Sequence, residues 1–499
     1  MTTPQTVFPL RSATGVALVV ATVLASTIGF LNAYMINVAV PAIGRDLDAD
    51  VSAIQWVLTG YLVTVAALLL VAGALADHFG RRRILIVGLF IMLAAALGCA
   101  AAPNAAILIV ARLVQGVGGA LVVPSSLAML NGALIPVDRA RGIGIWAGLS
   151  TLGATVGPYA GGWLVDHGSW RYIFLLNLPL VLAAYWALRS VPEVDRSRRP
   201  LSLDVPGALL AVVGLGAVIY AMTAGPASGW GSVPVVTSAV VGVVCLVALV
   251  PVERRQRQPI VALALFRIRQ FSAINAATLL FYGALAAASY LVVLQCELQL
   301  GYSATAAGAA LIPESVVFLL VSPLVGGLVA RVGIRWPMAA GILLTAAAFA
   351  WLSAARVGES YGQAILPGAI LWGLGIGVAV APLTAGVLAA VEDTDLGAAS
   401  AINDASSRVG GVVMVALVPA LLGAGDAHSL AVPLAAHYQT AMLVMAGLSV
   451  AAAVITAVYV TRSLPPTAGR LTVTPRVHGC AVPEPVTTTS RPSGKRTSP

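Results

Sequence analysis

The chain has 499 residues, of which 59% are hydrophobic and 9% are charged, and its formal net charge is +9. Soluble domains carry about 25% charged residues, and a core of this size could not hide so much apolar surface from water, so the composition excludes a soluble protein. It predicts an integral membrane protein whose loop arginines set topology and do not bind nucleic acid.

Fourteen apolar segments are long enough to cross a bilayer as helices, which takes about 20 residues each. We refer to them as spans 1 to 14, at 14–39, 53–76, 84–102, 105–130, 142–164, 172–189, 205–223, 234–252, 271–295, 304–330, 337–355, 363–388, 405–423 and 436–461. The first could mimic a signal peptide, but more spans follow it and no cleavage site does. The sequence therefore predicts an all-α, multi-pass membrane protein.

The basic residues orient these spans. With an even number of spans, 24 of the 28 Lys and Arg residues fall on one side, and only Arg45, Arg171 and Arg356 fall on the other. Arg112 is left inside span 4. Because cytoplasmic loops carry the excess of positive charge, we expect both termini to be cytoplasmic. Residues 1–13 form the N-terminal segment, and the Pro-, Thr- and Arg-rich residues 463–499 are expected to be a disordered tail.

A short charged loop, Gly73–Arg83, joins spans 2 and 3 and reads GALADHFGRRR. It is too short for a domain, so it must be a tight hairpin at the membrane surface. The loop resembles the signature of the major facilitator superfamily, Gly-x-Leu-x-Asp-x-x-Gly-Arg-Arg. The resemblance implies a latch that holds the two halves in one access state, formed by Gly73, Asp77, Gly80, Arg81 and Arg82. The alternative is that the arginines only set topology.

Four further stretches resemble the fourteen-helix drug:proton antiporter branch of that superfamily. They are Leu31–Pro41 in span 1, Arg112–Gly118 in span 4, Gly153–Gly162 in span 5 and Trp170–Pro179 at span 6. The resemblance covers the N-terminal half, whereas the C-terminal half matches mainly in its number of spans. It implies the major facilitator fold, with two six-helix bundles and two additional helices between them.

An internal repeat supports the same division. Gly73–Gly80 aligns without gaps with Gly326–Gly333, and each stretch follows the second span of its half. Spans 1–6 and 9–14 would be the repeats, as is usual in secondary transporters. We therefore expect one bundle at 14–190, an inserted pair of helices at 191–270, and a second bundle at 271–462.

Span 5 carries the antiporter motif of the resembling branch, in Gly153, Gly157, Pro158, Gly161 and Gly162. Pro158 removes one helical hydrogen bond and kinks the helix. Small residues four apart let another helix approach closely. Packing alone explains this pattern, and the resemblance adds that the contact seals the transporter against leak.

Arg112 lies inside the membrane, about 12 Å from the outer end of span 4. An intramembrane guanidinium costs several kcal/mol unless it is paired or hydrated. We expect it to face a central cavity and to control a nearby proton site. The alternative is a purely structural bond to backbone carbonyls.

The resembling branch carries an aspartate, implicated in proton coupling, at the position of Asn32. Asparagine cannot ionise, so Asn32 could bind substrate or Arg112 but cannot carry the proton. Glu314, about 15 Å below the outer surface in span 10, is the candidate replacement. The alternatives for Glu314 are a neutral, hydrogen-bonded side chain or one that faces an outer vestibule.

Aromatic and amide side chains on the predicted cavity helices would suit a bulky ligand, although each of them could equally be packing. They are Tyr34, Gln55, Trp56, Tyr61, Gln115, Tyr282, Tyr290 and Trp372. Asp404 and Arg408 are four residues apart, and we expect a structural helix pair at the cytoplasmic start of span 13.

The sequence predicts a transporter and not an enzyme, because it carries no nucleotide-binding loop, metal spacing or nucleophile–base pair. We expect a monomeric exporter of hydrophobic, cationic or antibiotic-like compounds in the cell membrane, driven by the proton gradient without a cofactor. One alternative is a proton-independent facilitator or a lipid or metabolite exporter. Another is a membrane sensor or scaffold that transports nothing.

Overall fold

The structure is a computed structural model that describes residues 7–192, 204–256, 263–356, 358–391, 396–424 and 430–461. Some side chains within the helices also lie outside this description, among them that of Asp77. The predicted disordered tail, 463–499, lies outside the described residues and stays a prediction.

Every predicted span falls on a helix. In chain order the helices are Ala13–Tyr34 with Val40–Asp46, Val51–Phe79, Arg81–Ala100, Ala105–Ala133, Pro136–His167, Arg171–Leu175 with Asn177–Arg189, Val205–Ser228, Val233–Arg255, Arg269–Leu298, Ala304–Ala309 with Ile312–Val332, Arg335–Leu352, Tyr361–Ala364 with Leu366–Ala389, Leu396–Leu421 and Ala431–Tyr459. Within the described residues, 13 helices are long and apolar enough to cross a membrane. The helix of span 5 is 32 residues long, but several of its side chains are not described.

Local sequence signals explain where several spans begin. Asp50 caps span 2 by accepting a hydrogen bond from the amide of Ala53 at 2.6 Å, and Asn104 caps span 4 through the amide of Ile107 at 3.0 Å. Ser12 and Ser303 cap spans 1 and 10 in the same way. These side chains satisfy backbone donors that the first turn of a helix leaves unpaired.

The repeated glycines mark equivalent turns in the two halves. Gly80, between spans 2 and 3, has φ +101°, and Gly333, between spans 10 and 11, has φ +83°. This backbone conformation favours glycine over any residue with a Cβ atom. The turns therefore support the internal repeat that the sequence alignment predicts.

The helices pack as two bundles with an inserted pair. In the first half, span 4 packs against spans 2 and 3, and span 1 packs against spans 5 and 6. In the second half, span 9 packs against spans 13 and 14, and span 12 packs against spans 10 and 11. Spans 7 and 8 pack against each other, and span 7 also contacts spans 2 and 13. The predicted fold class is thus confirmed.

The bundles meet tightly near the ends of spans 5 and 10 that the charge distribution assigns to the outside. A Cβ atom on Gly162 would overlap the carbonyl of Ala304, and one on Gly308 would overlap the carbonyl of Pro158. Asp166 accepts hydrogen bonds from the amides of Ala304, at 3.2 Å, and Thr305, at 2.8 Å. The space between the bundles is therefore closed at this end.

Span 13 differs from its prediction. Its helix starts at Leu396, nine residues before the predicted start, so Asp404 and Arg408 lie well inside the helix. The sequence placed these charges at the membrane surface because charged residues are rare inside spans. The expected pair does form, with Arg408 Nε donating to Asp404 Oδ2 at 2.9 Å. The predicted start of span 13 was wrong by nine residues, whereas the position of the pair relative to the membrane surface stays a prediction.

Candidate functional site

The guanidinium of Arg112 is fully buried in the first bundle, and neutral groups hold it. Nε donates to the carbonyl of Val57 at 2.9 Å, Nη1 to Gln115 Oε1 at 2.8 Å, and Nη2 to the carbonyl of Asn32 at 3.1 Å. The ring of Tyr61 lies 4.9 Å from the guanidinium carbon. No carboxylate among the described residues contacts Arg112. The first bundle therefore holds a positive charge without a counter-charge in contact.

The side chain of Asn32 is fixed by two other amides. Its Nδ2 donates to Asn177 Oδ1 at 2.7 Å, and its Oδ1 accepts from Gln115 Nε2 at 2.9 Å and from Asn177 Nδ2 at 3.2 Å. Nδ2 also donates to the carbonyl of Ile28 at 2.8 Å. With these four bonds the amide is saturated. We call the groups that surround the guanidinium the Arg112 cage. Asn32 therefore belongs to this cage, and its side chain has little hydrogen-bonding capacity left for a ligand.

Sequence reasoning did not single out Asn177 as a site residue. It is 2% exposed in span 6 and completes the contact between spans 1, 4 and 6. A polar side chain inside an apolar span was the signal available, because such residues are costly in lipid and pair with one another.

Glu314 lies in the second bundle, away from Arg112 and Asn32. It falls in the first turn of Ile312–Val332, directly after the short break that follows Ala304–Ala309. Its Oε2 accepts a hydrogen bond from Ser315 Oγ at 2.9 Å, and Tyr34 of span 1 is within electrostatic range. The side chain is surrounded by protein but keeps part of its surface accessible. Glu314 therefore lies on the side of span 10 that approaches Tyr34 of span 1.

Two tyrosines lie in the same region of the protein. Tyr34 and Tyr282 are partly exposed although protein surrounds them, and they lie within electrostatic range of each other. Tyr282 is also within range of Asp404, and Tyr34 is within range of Arg408. The ion pair of span 13 thus lies on the side of its helix that approaches these two tyrosines.

The other aromatic and amide candidates pack within the protein. Gln55 donates to the Tyr290 hydroxyl at 3.3 Å across the bundles, and both side chains are buried. The Tyr61 hydroxyl donates to the carbonyl of Gly29 at 3.1 Å. Trp372 and Trp56 each lie beside another aromatic ring. The ring centroids of Trp372 and Phe349 are 4.8 Å apart, and those of Trp56 and Tyr220 of span 7 are 6.3 Å apart. Their predicted role as cavity residues stays a prediction.

The charged loop between spans 2 and 3 is held within the first bundle. Arg81 Nη1 donates to the carbonyl of Ala128 at 2.9 Å, and Arg82 Nε donates to the carbonyl of Leu188 at 3.1 Å. Leu188 is in the last turn of the span 6 helix, where a cation interacts favourably with the helix dipole. Gly73 has open space around it.

The antiporter motif contacts two different helices. Gly153, Gly157 and Gly161 face Thr27, Leu31 and Met35 of span 1, whereas Gly162 and Pro158 face span 10 of the other bundle. The four-residue spacing therefore packs span 5 on its own bundle, and the remaining two residues form the interface that closes the outer end.

Asp166, beyond the outer end of span 5, is a titratable group of this interface. Burial raises its pKa, but the hydrogen bonds from Thr305 and from the Ala304 amide outweigh burial and lower the pKa below its ordinary value. The carboxylate is therefore fully charged at neutral pH and holds the first turn of span 10.

Comparison with known proteins identifies relatives over most of the chain. The family model of the Major Facilitator Superfamily matches residues 22–204 and 274–488. The "Multidrug resistance protein Stp" of Mycobacterium tuberculosis (strain CDC 1551 / Oshkosh) is 33% identical over 406 residues, which cover 81% of this chain and 75% of that protein. The "Puromycin resistance protein pur8" of Streptomyces alboniger is 35% identical over 78% of both chains. The "Cephamycin export protein CmcT" of Amycolatopsis lactamdurans is 33% identical over 89% of this chain and 94% of its own.

Solved structures share the fold at low sequence identity. The POT family transporter PepTSo superposes with a TM-score of 0.65 at 15% identity, covering 89% of this chain and 96% of that one. A peptide transporter POT in complex with sulfate gives a TM-score of 0.65 at 16% identity, covering 90% and 96%. At this identity the likeness concerns the fold alone.

Proposed function

This chain belongs to the Major Facilitator Superfamily, and we propose that it exports hydrophobic, cationic or antibiotic-like compounds by alternating access. The family makes it a multi-pass membrane transporter of small molecules and not an enzyme. Several relatives bear names of drug resistance or antibiotic export, and they align over three quarters or more of this chain. Their names support the direction of transport and the class of substrate.

Proton entry is the proposed energy source. The observation that carries this step is Glu314, a partly exposed acidic residue at about 15 Å from the outer start of its span. A carboxylate at this depth marks ion and proton pathways in membrane proteins. In the proposed cycle Glu314 takes a proton from outside as substrate leaves, and the deprotonated carboxylate then favours reloading from the cytoplasm.

The cage around Arg112 supports Glu314 as the proton carrier. Asn32 cannot ionise, and the groups that hold Arg112 are amides, backbone carbonyls and a phenol ring. The resembling branch would place a protonatable aspartate here. With this position neutral, Glu314 and Asp404 are the carboxylates of the described spans that could carry the proton, and Asp404 already pairs with Arg408.

Transport by purified protein in vesicles with an imposed pH gradient tests the proposal. Wild-type protein should move substrate against its gradient only when the pH gradient is present. Glu314→Gln should abolish this dependence, whereas Glu359→Gln, on an exposed loop, should leave it unchanged. Undiminished gradient-driven export by Glu314→Gln would remove Glu314 from this role.

A second candidate is proton-independent facilitated transport, and the neutral side chain of Asn32 favours it. It predicts equal transport with and without a pH gradient in wild-type protein and in Glu314→Gln. The same vesicles, prepared with equal pH on both sides, therefore discriminate between the two functions.

We further propose that the protein is a monomer in the plasma membrane with both termini in the cytoplasm. The asymmetric distribution of arginines supports the orientation. Fluorescent tags at the two ends should both respond to quenchers in the cytoplasm and not to quenchers outside.

A further inference from the structure

Four exposed arginines flank the connection between spans 8 and 9, and we call them the arginine corner. Arg254 and Arg255 end the helix of span 8, Arg269 begins the helix of span 9, and Arg267 lies two residues before it. Both helices are long enough to cross the bilayer, so the corner stands at the level of the lipid headgroups. Topology depends on the number of such charges and not on their arrangement.

The arginine corner has no counter-charge among the residues that the structure describes. Ion pairs between described side chains lie in other parts of the protein. Glu253, the acidic residue nearest to the corner in sequence, is buried against span 7, where a Cβ atom on Gly207 would lie 2.9 Å from its Oε1. At 100° per residue, Arg254 and Arg255 project from other sides of the helix. The corner therefore presents its positive charge to the membrane surface.

A short helical segment, Leu263–Arg267, packs against both span 8 and span 9. Leu265 is buried and anchors the segment, and its carbonyl accepts a hydrogen bond from the amide of Ile268 at 3.0 Å. The carbonyl of Phe266 accepts a second bond, from Ser272 Oγ at 2.5 Å. These contacts hold the segment against both helices, so the two pairs of arginines belong to one region of the membrane surface.

Apolar and aromatic side chains stay exposed beside these charges. Phe266 is 41% exposed and Ile268 is 37% exposed. The exposed ring of Tyr459, at the end of span 14, lies 4.8 Å from the guanidinium carbon of Arg269. A guanidinium that stacks on a ring keeps the N–H donors at its edge available for an anion. The corner thus combines groups that bind phosphate with groups that favour lipid.

We propose that the arginine corner binds the phosphate headgroup of an anionic phospholipid. Guanidinium groups bind phosphate through two parallel hydrogen bonds, and clusters of basic residues at the ends of spans attract anionic lipids. Phe266 and Ile268 contact the adjoining part of the acyl chains, which a soluble phosphate compound lacks. Because the corner joins spans 8, 9 and 14, the bound lipid fastens the inserted pair to the second bundle. This site is separate from the transported compound and does not depend on the proposed export.

Native mass spectrometry of the full-length protein tests this proposal, because it resolves the protein with and without one bound lipid. The probes are phosphatidylglycerol, which is anionic, and phosphatidylcholine with the same acyl chains, which has no net charge. Wild-type protein should bind phosphatidylglycerol more tightly. Since each arginine near a membrane surface contributes about fivefold, Arg267→Gln/Arg269→Gln should weaken this lipid about 25-fold and leave phosphatidylcholine within about twofold.

Two further variants separate the corner from general effects of charge and folding. Arg11→Gln/Arg189→Gln removes two exposed arginines from the first bundle, on the membrane surface to which the charge distribution also assigns the corner. It should change phosphatidylglycerol binding by less than about twofold, because these two residues lie outside the corner. Arg267→Lys/Arg269→Lys keeps both charges and should recover most of the affinity, which distinguishes loss of charge from a disturbed fold.

Equal loss of both lipids in Arg267→Gln/Arg269→Gln, or no loss of either, would overturn the proposal. An equal loss of phosphatidylglycerol in Arg11→Gln/Arg189→Gln would also overturn it, because the arginines would then act only as distributed charge. A competition distinguishes lipid from soluble phosphate. Glycerol 3-phosphate in large excess should leave phosphatidylglycerol bound, whereas complete displacement would assign the corner to a soluble phosphate compound and contradict the lipid site.

Discussion

Arg112 donates from Nη2 to the backbone carbonyl of Asn32, and the side chain of Asn32 turns away to bond with Asn177 and Gln115. The position of the guanidinium therefore depends on the backbone of span 1 more than on which side chain stands at position 32. This relationship separates two roles at one position, because the backbone anchors the cation while the side chain decides whether a titratable group stands beside it.

Asn32→Asp should give the protein a second titratable carboxylate beside Arg112. The new carboxylate would accept from Gln115 and Asn177 but could no longer donate to Asn177 Oδ1. We expect Glu314→Gln alone to lack coupling and the double variant with Asn32→Asp to regain dependence on the pH gradient. Vesicle transport measures this, and a double variant as uncoupled as the single one would contradict it.

Arg112→Gln should destabilise the first bundle. The shorter side chain cannot reach the carbonyls of Val57 and Asn32 together, which leaves buried acceptors without donors. We expect the free energy of unfolding to fall by roughly 2–4 kcal/mol, measured by chemical unfolding in detergent. Arg356→Gln removes an exposed arginine and serves as the control. Equal stability of the two variants would mean that the cage contributes nothing.

Gly162→Ala should open the outer contact between the bundles, because the added methyl group overlaps the carbonyl of Ala304. Overpacking of this kind costs about 1–3 kcal/mol. A cysteine placed at Ala307, which is fully buried, should then react faster with a membrane-impermeant maleimide added outside. Gly216→Ala, in a span where the methyl group meets nothing within 4 Å, should leave the rate unchanged.

The bond between Asp166 and span 10 should be insensitive to pH in the neutral range. Since the pKa of Asp166 is lowered in the folded protein, its contribution is fully present above the ordinary value of about 4 and is lost as pH falls through the lowered pKa. Hydrogen exchange at the amides of Ala304 and Thr305, corrected for the intrinsic rate, should therefore stay constant from about pH 5 to 8. Asp166→Asn should raise it, and a midpoint near pH 7 would contradict the assignment.

The fold followed from the sequence because a bilayer imposes simple requirements. Long apolar segments must be helices, and loop charges orient them, so the spans could be located from composition alone. The glycine spacing of span 5 also predicted a close helix contact, and the structure places Gly153, Gly157 and Gly161 against span 1. That Gly162 instead faces the other bundle depends on the rotation of the helix, which spacing alone does not determine.

The site was harder to predict because hydropathy treats polar residues as boundaries. Asp404 and Arg408 were placed at a membrane surface for that reason, whereas the structure starts their helix at Leu396. Likewise, Asn177 stood in a recognised motif, but only the approach of spans 1 and 4 makes it a partner of Asn32. Contacts between distant spans require the tertiary arrangement.

The inserted helices also constrain how the bundles move. Span 7 packs through Leu215 and Ile219 into a cluster that includes Val63 of span 2 and Val412 of span 13. One helix thus contacts a helix of each bundle, so the rocking of the bundles that we propose would shift its contact with at least one of them. Apolar contacts of this kind are not directional, which lets surfaces slide with little loss. Span 7 can therefore guide the relative movement of the two bundles while it keeps apolar contact with both of them.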